Sequence, residues 1–202
     1  PGYQSVTDEG IRQKFAQAWH IPVEKLDPQV GYRITEVPHL AIEGKVKAYY
    51  IMGEDPLQTE ADLGLVRKGF QALDFIVVQD IFMTKTAEQA DVILPSTSWG
   101  EHGGIFTCAD RGFQRFEQAV QARGNVKRDW EIISLLATAM GYPMSYTDNE
   151  EIWHEVRALC PLFFGATYEK LAGLAHIQWP CPELDHPGTP YLYSDNRFTT
   201  PS

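Results

Sequence analysis

The sequence predicts an α/β fold: a parallel-sheet, Rossmann-like three-layer domain followed by an irregular helical C-terminal extension. Two observations carry this expectation. Three short apolar runs, "VKAYYIMG" (46–53), "FIVVQD" (75–80) and "DVILPS" (91–96), recur at regular intervals and are rich in β-branched and aromatic residues. Helical patterns separate them, and alternating strand and helix require crossover connections, hence parallel strands. The runs are apolar throughout rather than alternating, which suits a sheet covered on both faces.

Each element has its own signal. In "DEGIRQKFAQAW", Ile11, Phe15 and Trp19 fall four apart on one helical face, with Thr7 or Asp8 as the cap. Residues 21–45 carry three prolines and no clear period, so they read as loop with a short helical turn near 35–43. Between the first two strands, Leu63, Val66, Phe70 and Leu73 form one stripe of a helix, with Thr59 at its start. Between the last two, "TKTAEQA" places Thr86 and Gln89 at capping-box spacing. After Ser96 the chain turns Gly-rich, with two short strands predicted around Gly104–Thr107 and Gly112–Phe116. Helices are predicted over "DWEIISLLATAMG" (129–141), stopped by Gly141 and Pro143, and over "NEEIWHEVRALC" (149–160), stopped by Pro161. Beyond that, Pro, Gly and aromatic residues dominate, as in "IQWPCPELDHPGTPYLY", and read as irregular chain lying over another surface. The expected division is an α/β segment, 1–128, and a helical and irregular segment, 129–202.

Composition narrows the function. Of the 202 residues, 44% are hydrophobic and 12% aromatic, enough for a packed core. The formal net charge of -10 argues against nonspecific binding to nucleic acid or anionic membranes, which needs clustered Lys and Arg. No run of 18 apolar residues and no signal peptide is visible, and cytoplasmic location is the default expectation. The chain opens on Pro1 and closes on "RFTTPS", which reads as a piece of a longer polypeptide. Cys108, Cys160 and Cys181 are scattered, with no CxxC, and are expected to be ordinary packing thiols, neither a disulfide framework nor a self-contained metal site.

The chemistry is expected at the strand ends, because ligands of open parallel sheets bind outside the carboxyl ends of the strands. All three ends turn polar: Gly53-Glu54-Asp55-Pro56 with Thr59 after the first, Gln79-Asp80 at the second, Pro95-Ser96-Thr97-Ser98 at the third. Carboxylates such as Asp55 and Asp80 can accept from a ribose hydroxyl pair or from the N–H edge of guanine, and a glycine admits close approach to backbone. Residue by residue, the same types also serve as turn and cap residues. Neither GxGxxG nor a P-loop is present, so the residues alone support a nucleotide-binding α/β domain and no common fingerprint. The Glu101-His102 pair is expected to point apart, His154 to lie on the surface or in packing, and Asp110, Arg111 and Arg115 to form an ion-pair cluster rather than a phosphate site. No GxSxG supports hydrolase chemistry.

Four motifs in order, "YIMGEDPLQT", "VVQDIFMTKTAEQADVILPSTSWGEHGGIFT", "ADRGFQRF" and "DWEIISLLATAMGYP", resemble the large catalytic subunit of molybdopterin-dependent formate dehydrogenases. More broadly they resemble the molybdenum/tungsten bis-molybdopterin guanine dinucleotide oxidoreductases, and the resemblance covers nearly the whole chain. It implies a middle-domain segment of a much larger enzyme that oxidises formate to carbon dioxide. It also implies a bis-molybdopterin guanine dinucleotide centre carrying Mo or W, and a 4Fe-4S cluster elsewhere in the full protein. The metal ligand, Cys or selenocysteine, would precede this segment, so no catalytic and no metal-ligating residue is expected here and the piece alone is expected to be inactive. Residues 129–202 would pack against the iron-sulfur domain and lead into the C-terminal domain. Partners implied are the remainder of the same large subunit and electron-transfer subunits.

Carried over by motif, the cofactor-binding candidates are Asp55 and Thr59 from "GEDPLQT", Gln79 and Asp80 from "VVQD", Ser96 from "LPS" and Asp129 from "DW". Asp129 is the one candidate that sheet geometry had not selected; its position alone reads as a helix opening. Gly103, in "EHGGIF", stands where relatives commonly carry an acidic residue. The alternative reading is a stand-alone α/β module that holds a guanine nucleotide or docks a partner without catalysis.

Overall fold

The computed structural model describes residues 2–194. In chain order they form α1 (Glu9–Ala18), α2 (Val37–Ile42), β1 (Ala48–Met52), α3 (Pro56–Thr59), α4 (Leu63–Gln71), β2 (Phe75–Asp80), β3 (Val92–Pro95), β4 (Gly104–Thr107), β5 (Gly112–Phe116), α5 (Asp129–Ala139), α6 (Asn149–Leu159) and β6 (Ile177–Gln178), with single 3-10 turns between. Two compact units interleave along the sequence. One takes residues 31–102 and 118–145; the other takes residues 2–30, 103–117 and 146–194 of those described. The division expected after residue 128 falls inside the first unit, which keeps α5.

The first unit holds the parallel sheet, in order β1-β2-β3. Ile51, Ile76 and Val78 are buried on one face with Val66 and Phe70 of α4, whose apolar stripe the sequence had shown. Asp62 caps α4, its Oδ1 accepting from Leu65 N at 2.9 Å. Gly69 of α4 lies against Pro38 of α2, where a Cβ would stand 2.6 Å from Pro38 Cα; a side chain there would hold the two helices apart.

Two expectations change. Thr59 does not open the long helix. The short α3 intervenes, Thr59 ends it, and its hydroxyl turns back to donate to Asp55 O at 3.0 Å. The segment "TKTAEQA" forms only a 3-10 turn at Ala87–Gln89, and Thr86 makes no capping bond with its side chain. The second face of the sheet is also more open than its apolar strands suggested: Tyr50, Met52, Phe75 and Val92 remain exposed. The strands carry more apolar surface than the helices of this chain cover.

The second unit joins the antiparallel sheet β4-β5-β6 to α6 and α1. Phe113 of β5, 1% exposed, packs edge-on to Trp153 of α6, centroids 5.0 Å apart. The Trp153 indole donates to Ala166 O at 2.7 Å, tying the irregular tail to α6. The Trp19 indole donates to Glu155 Oε1 at 2.9 Å and Lys14 Nζ to Leu159 O at 2.9 Å, which anchor α1 on α6. Both hairpin strands and the helices α1, α5 and α6 lie within two residues of their predicted bounds.

Candidate cofactor site

Parallel in-register pairing brings the three strand ends together: Met52 lies opposite Gln79, Gln79 opposite Leu94 and Asp80 opposite Pro95. Gln79, at the end of the central strand, is fully buried. A buried amide needs partners for both ends. The Tyr50 hydroxyl donates to its Oε1, and its Nε2 donates to Asp129 Oδ1 at 2.6 Å. With its oxygen facing a hydroxyl and its nitrogen facing a carboxylate, the amide has one satisfied orientation.

Asp129 reaches Gln79 because the chain before α5 runs along β3. Ser96 and Lys127 form a parallel bridge, and Thr97 N donates to Lys127 O at 3.0 Å. Arg128 follows as N-cap of α5, its backbone N–H donating to Glu131 Oε2 at 2.8 Å. Asp129 thus sits in the first turn of an 11-residue helix, where the dipole favours a carboxylate. Among the described residues nothing bonds its second carboxylate oxygen. Burial, and then the Asp129 charge, push the Tyr50 phenol above its ordinary range, so it stays a donor through neutral pH.

The other candidates divide between two positions. Asp80 closes its own turn, Oδ1 accepting from Ile81 N at 2.7 Å and Phe82 N at 3.2 Å, and its carbonyl accepts from Ser96 N at 3.1 Å. Ser96 is buried at 6% exposure. Gln79, Asp80, Ser96 and Asp129 are therefore contiguous. Asp55 and Thr59 lie one strand over, past Gly53, whose N–H donates to Gln79 O at 2.9 Å. Gly53 holds φ of +65°, and no atom lies within 4 Å of where a Cβ would stand, so the turn leaves open space. Asp55 Oδ1 accepts from Thr86 N at 2.9 Å and from Thr86 Oγ1 at 2.6 Å; its other oxygen has no partner among the described residues.

Tyr50 and Thr86 are the two residues of this network that sequence reasoning missed. Tyr50 was counted as an apolar strand residue and Thr86 as a helix cap. A spare hydroxyl on a strand facing the predicted Gln79 was the available signal.

The remaining sequence candidates build no site. Glu101 accepts from Ser98 N at 2.9 Å while His102 Nδ1 lies 3.0 Å from Thr97 Oγ1, so the neighbours do point apart. Asp110, Arg111 and Arg115 do not pair with one another. Asp110 Oδ2 lies 3.3 Å from His176 Nε2, Arg111 donates to the carbonyls of Trp179, Thr189 and Pro190, and Arg115 pairs with Glu117 at 2.7 Å. His154 is exposed, 3.6 Å from Glu150. The three cysteines are free, with Cys160 and Cys181 fully buried. None of the six candidates lines either the hollow of about 320 Å³ beside Arg67, Lys85 and Glu88 or the one of about 370 Å³ among Pro95, Lys127, Ile132 and Leu135. The strand-end arrangement offers acceptors rather than nucleophiles: the carboxylates of Asp129 and Asp55, each with one oxygen that no described residue bonds.

The molybdopterin oxidoreductase family model matches residues 5–139. Formate dehydrogenase H of Escherichia coli is 59% identical over 100% of this chain, which covers 28% of that protein. F420-dependent formate dehydrogenase 1 subunit alpha of Methanococcus maripaludis is 39% identical over 98% of this chain and 29% of its own length. The chain thus spans less than a third of these curated relatives. Acetylene hydratase from Pelobacter acetylenicus shares the fold, with a TM-score of 0.60 over 86% of this chain and 24% of that chain, at 21% identity. Among the described residues no helix is long and apolar enough to cross a membrane. With most of its length inside the family model, this chain belongs to the molybdopterin oxidoreductase family.

Proposed function

We propose that this chain holds a guanosine diphosphate arm of a molybdopterin guanine dinucleotide cofactor, as part of a formate dehydrogenase large subunit that oxidises formate to carbon dioxide. The names of the two relatives support the reaction. One observation carries the binding role: Asp129 and Asp55 each present a free carboxylate oxygen at the ends of adjacent parallel strands. The residues present fit the guanosine end of such a cofactor. Guanine N1–H and N2–H₂ and the ribose hydroxyls are donors, and a carboxylate is the acceptor that matches them. The open turn at Gly53 leaves room for backbone approach.

When bound, the cofactor supplies the Mo or W centre that takes two electrons as formate becomes carbon dioxide and releases a proton. The residues of this chain bind and orient. Gln79 fixes the Asp129 carboxylate and Tyr50 fixes Gln79; Asp80 and Ser96 hold the neighbouring strand ends in register. On this reading the 202-residue chain binds nucleotide and does not turn over formate; a 4Fe-4S cluster and electron-transfer subunits complete the path beyond it. Three free thiols suit a reducing, cytoplasmic setting.

Calorimetry of the folded chain with GDP and with ADP tests the binding role. GDP should bind saturably and at least about tenfold more tightly than ADP. Asp129→Asn should weaken GDP by about 10- to 100-fold, the worth of a charged hydrogen bond of about 1.5–3 kcal/mol. A folded chain that ignores GDP, or takes both nucleotides alike, overturns the reading.

A further inference from the structure

We infer that Thr86 is a positioning residue: its buried hydroxyl sets the Gly53–Thr59 turn in the shape that presents Asp55 to ligand. The inference rests on the nucleotide-binding reading for its purpose, while the positioning itself is read from the turn.

Thr86 is fully buried, although it follows an exposed loop and sits six residues before a strand. Its hydroxyl is committed in both directions. It donates to Asp55 Oδ1 at 2.6 Å and accepts from Leu57 N at 3.1 Å, and Thr86 N donates to the same Oδ1 at 2.9 Å. Leu57 N lies in the first turn of α3, where a backbone N–H has no intrahelical acceptor, so the hydroxyl satisfies a group that would otherwise be buried unpaired. The carbonyl of Asp55 accepts from Gln58 N at 2.8 Å, Thr59 N at 2.9 Å and Thr59 Oγ1 at 3.0 Å. Asp55 is therefore the hub of the turn, and Thr86 holds the hub by its side chain. With Oδ1 filled by two donors, the Asp55 rotamer is fixed and its free oxygen points away from Thr86. A hydroxyl that bridges two strand-end turns couples the segment after β2 to the segment after β1.

The test uses Thr86→Val, which keeps the shape and removes the hydroxyl, and Thr86→Ser, which keeps the hydroxyl. Val66→Ala, on the buried face of α4, is the control for general loss of stability. Amide hydrogen exchange of the full chain should show Leu57, Gln58 and Thr59 exchanging at least about tenfold faster in Thr86→Val, with the amides of β2 still protected. Thr86→Ser should restore the native rates. GDP affinity should fall about tenfold or more in Thr86→Val and stay within about threefold in Thr86→Ser and Val66→Ala. Unchanged exchange at Leu57 in Thr86→Val overturns the inference, as does loss of β2 protection along with it, which would make Thr86 a general core residue. If native Leu57 protection depends on the hydroxyl but the unaltered chain ignores GDP, the positioning stands and the nucleotide reading is what fails.

Discussion

Asp129 owes its place to an amide with no freedom left. The Tyr50 hydroxyl takes one end of Gln79 and Asp129 takes the other, so a change at Tyr50 acts on a carboxylate it does not touch. Tyr50→Phe should leave the buried Gln79 oxygen without its donor. The expected cost is about 1–2 kcal/mol, at the low end because Tyr50 is 37% exposed and water can replace part of the bond. Thermal unfolding should show it as a fall of about 2–6 °C for a chain of this size. All six candidates were legible in the sequence, five as polar residues at strand ends or the turn beyond and Asp129 through a resemblance. Their supports were not, because a hydrogen bond spanning 29 residues, as from Tyr50 to Gln79 or from Thr86 to Leu57, leaves no local pattern. Asp129 itself looked like a helix opening, and it is one; that its carboxylate also meets Gln79 follows from the bridge between Ser96 and Lys127, which nothing in the local sequence announces.

Elements with their own periodicity were read correctly, and elements defined by what they pack against were not. The stripe of α4 and the helix–Pro pattern of α6 are local signals, strong enough to locate both. The Thr86–Gln89 pair matched a capping box in spacing alone; Asp55 and Leu57 compete for the Thr86 hydroxyl and win, so the segment closes as one 3-10 turn. The two glycines of α4 separate local propensity from packing. At Gly64 a Cβ would meet Asp62 Oδ1 at 3.4 Å, an ordinary contact, so Gly64→Ala should stabilise by about 0.5–1 kcal/mol through helix propensity. At Gly69 a Cβ would meet Pro38 backbone at 2.6 Å, so Gly69→Ala should destabilise by about 1–3 kcal/mol by forcing α2 off α4. Urea unfolding of the two variants should move the midpoint in opposite directions.

Across the whole molecule, burial raises the same kind of group in both units. The phenols of Tyr49, Tyr50 and Tyr168 and the thiols of Cys160 and Cys181 all lie above their ordinary ranges, with desolvation the leading cause in each. A raised value means the folded state holds the proton more tightly than the unfolded chain. Stability is then full below the unfolded values and falls as pH climbs past about 8.5 for the thiols and about 10 for the phenols. Urea midpoints should hold level from neutral pH to about 8 and then decline, and Tyr168→Phe should flatten the decline above pH ~10. The interleaving of the two units also has a consequence on the ribosome. Residue 145 completes the α/β unit, whereas Trp153, Ala166, Leu171 and Ile177, the partners of the β4–β5 ribbon, are translated later. Two strands alone are marginal in water. A nascent chain stalled with residue 145 just clear of the exit tunnel should therefore resist protease across β2 while being cut within 103–117. Helix α1, made well before α6, must wait for it before Trp19 meets Glu155.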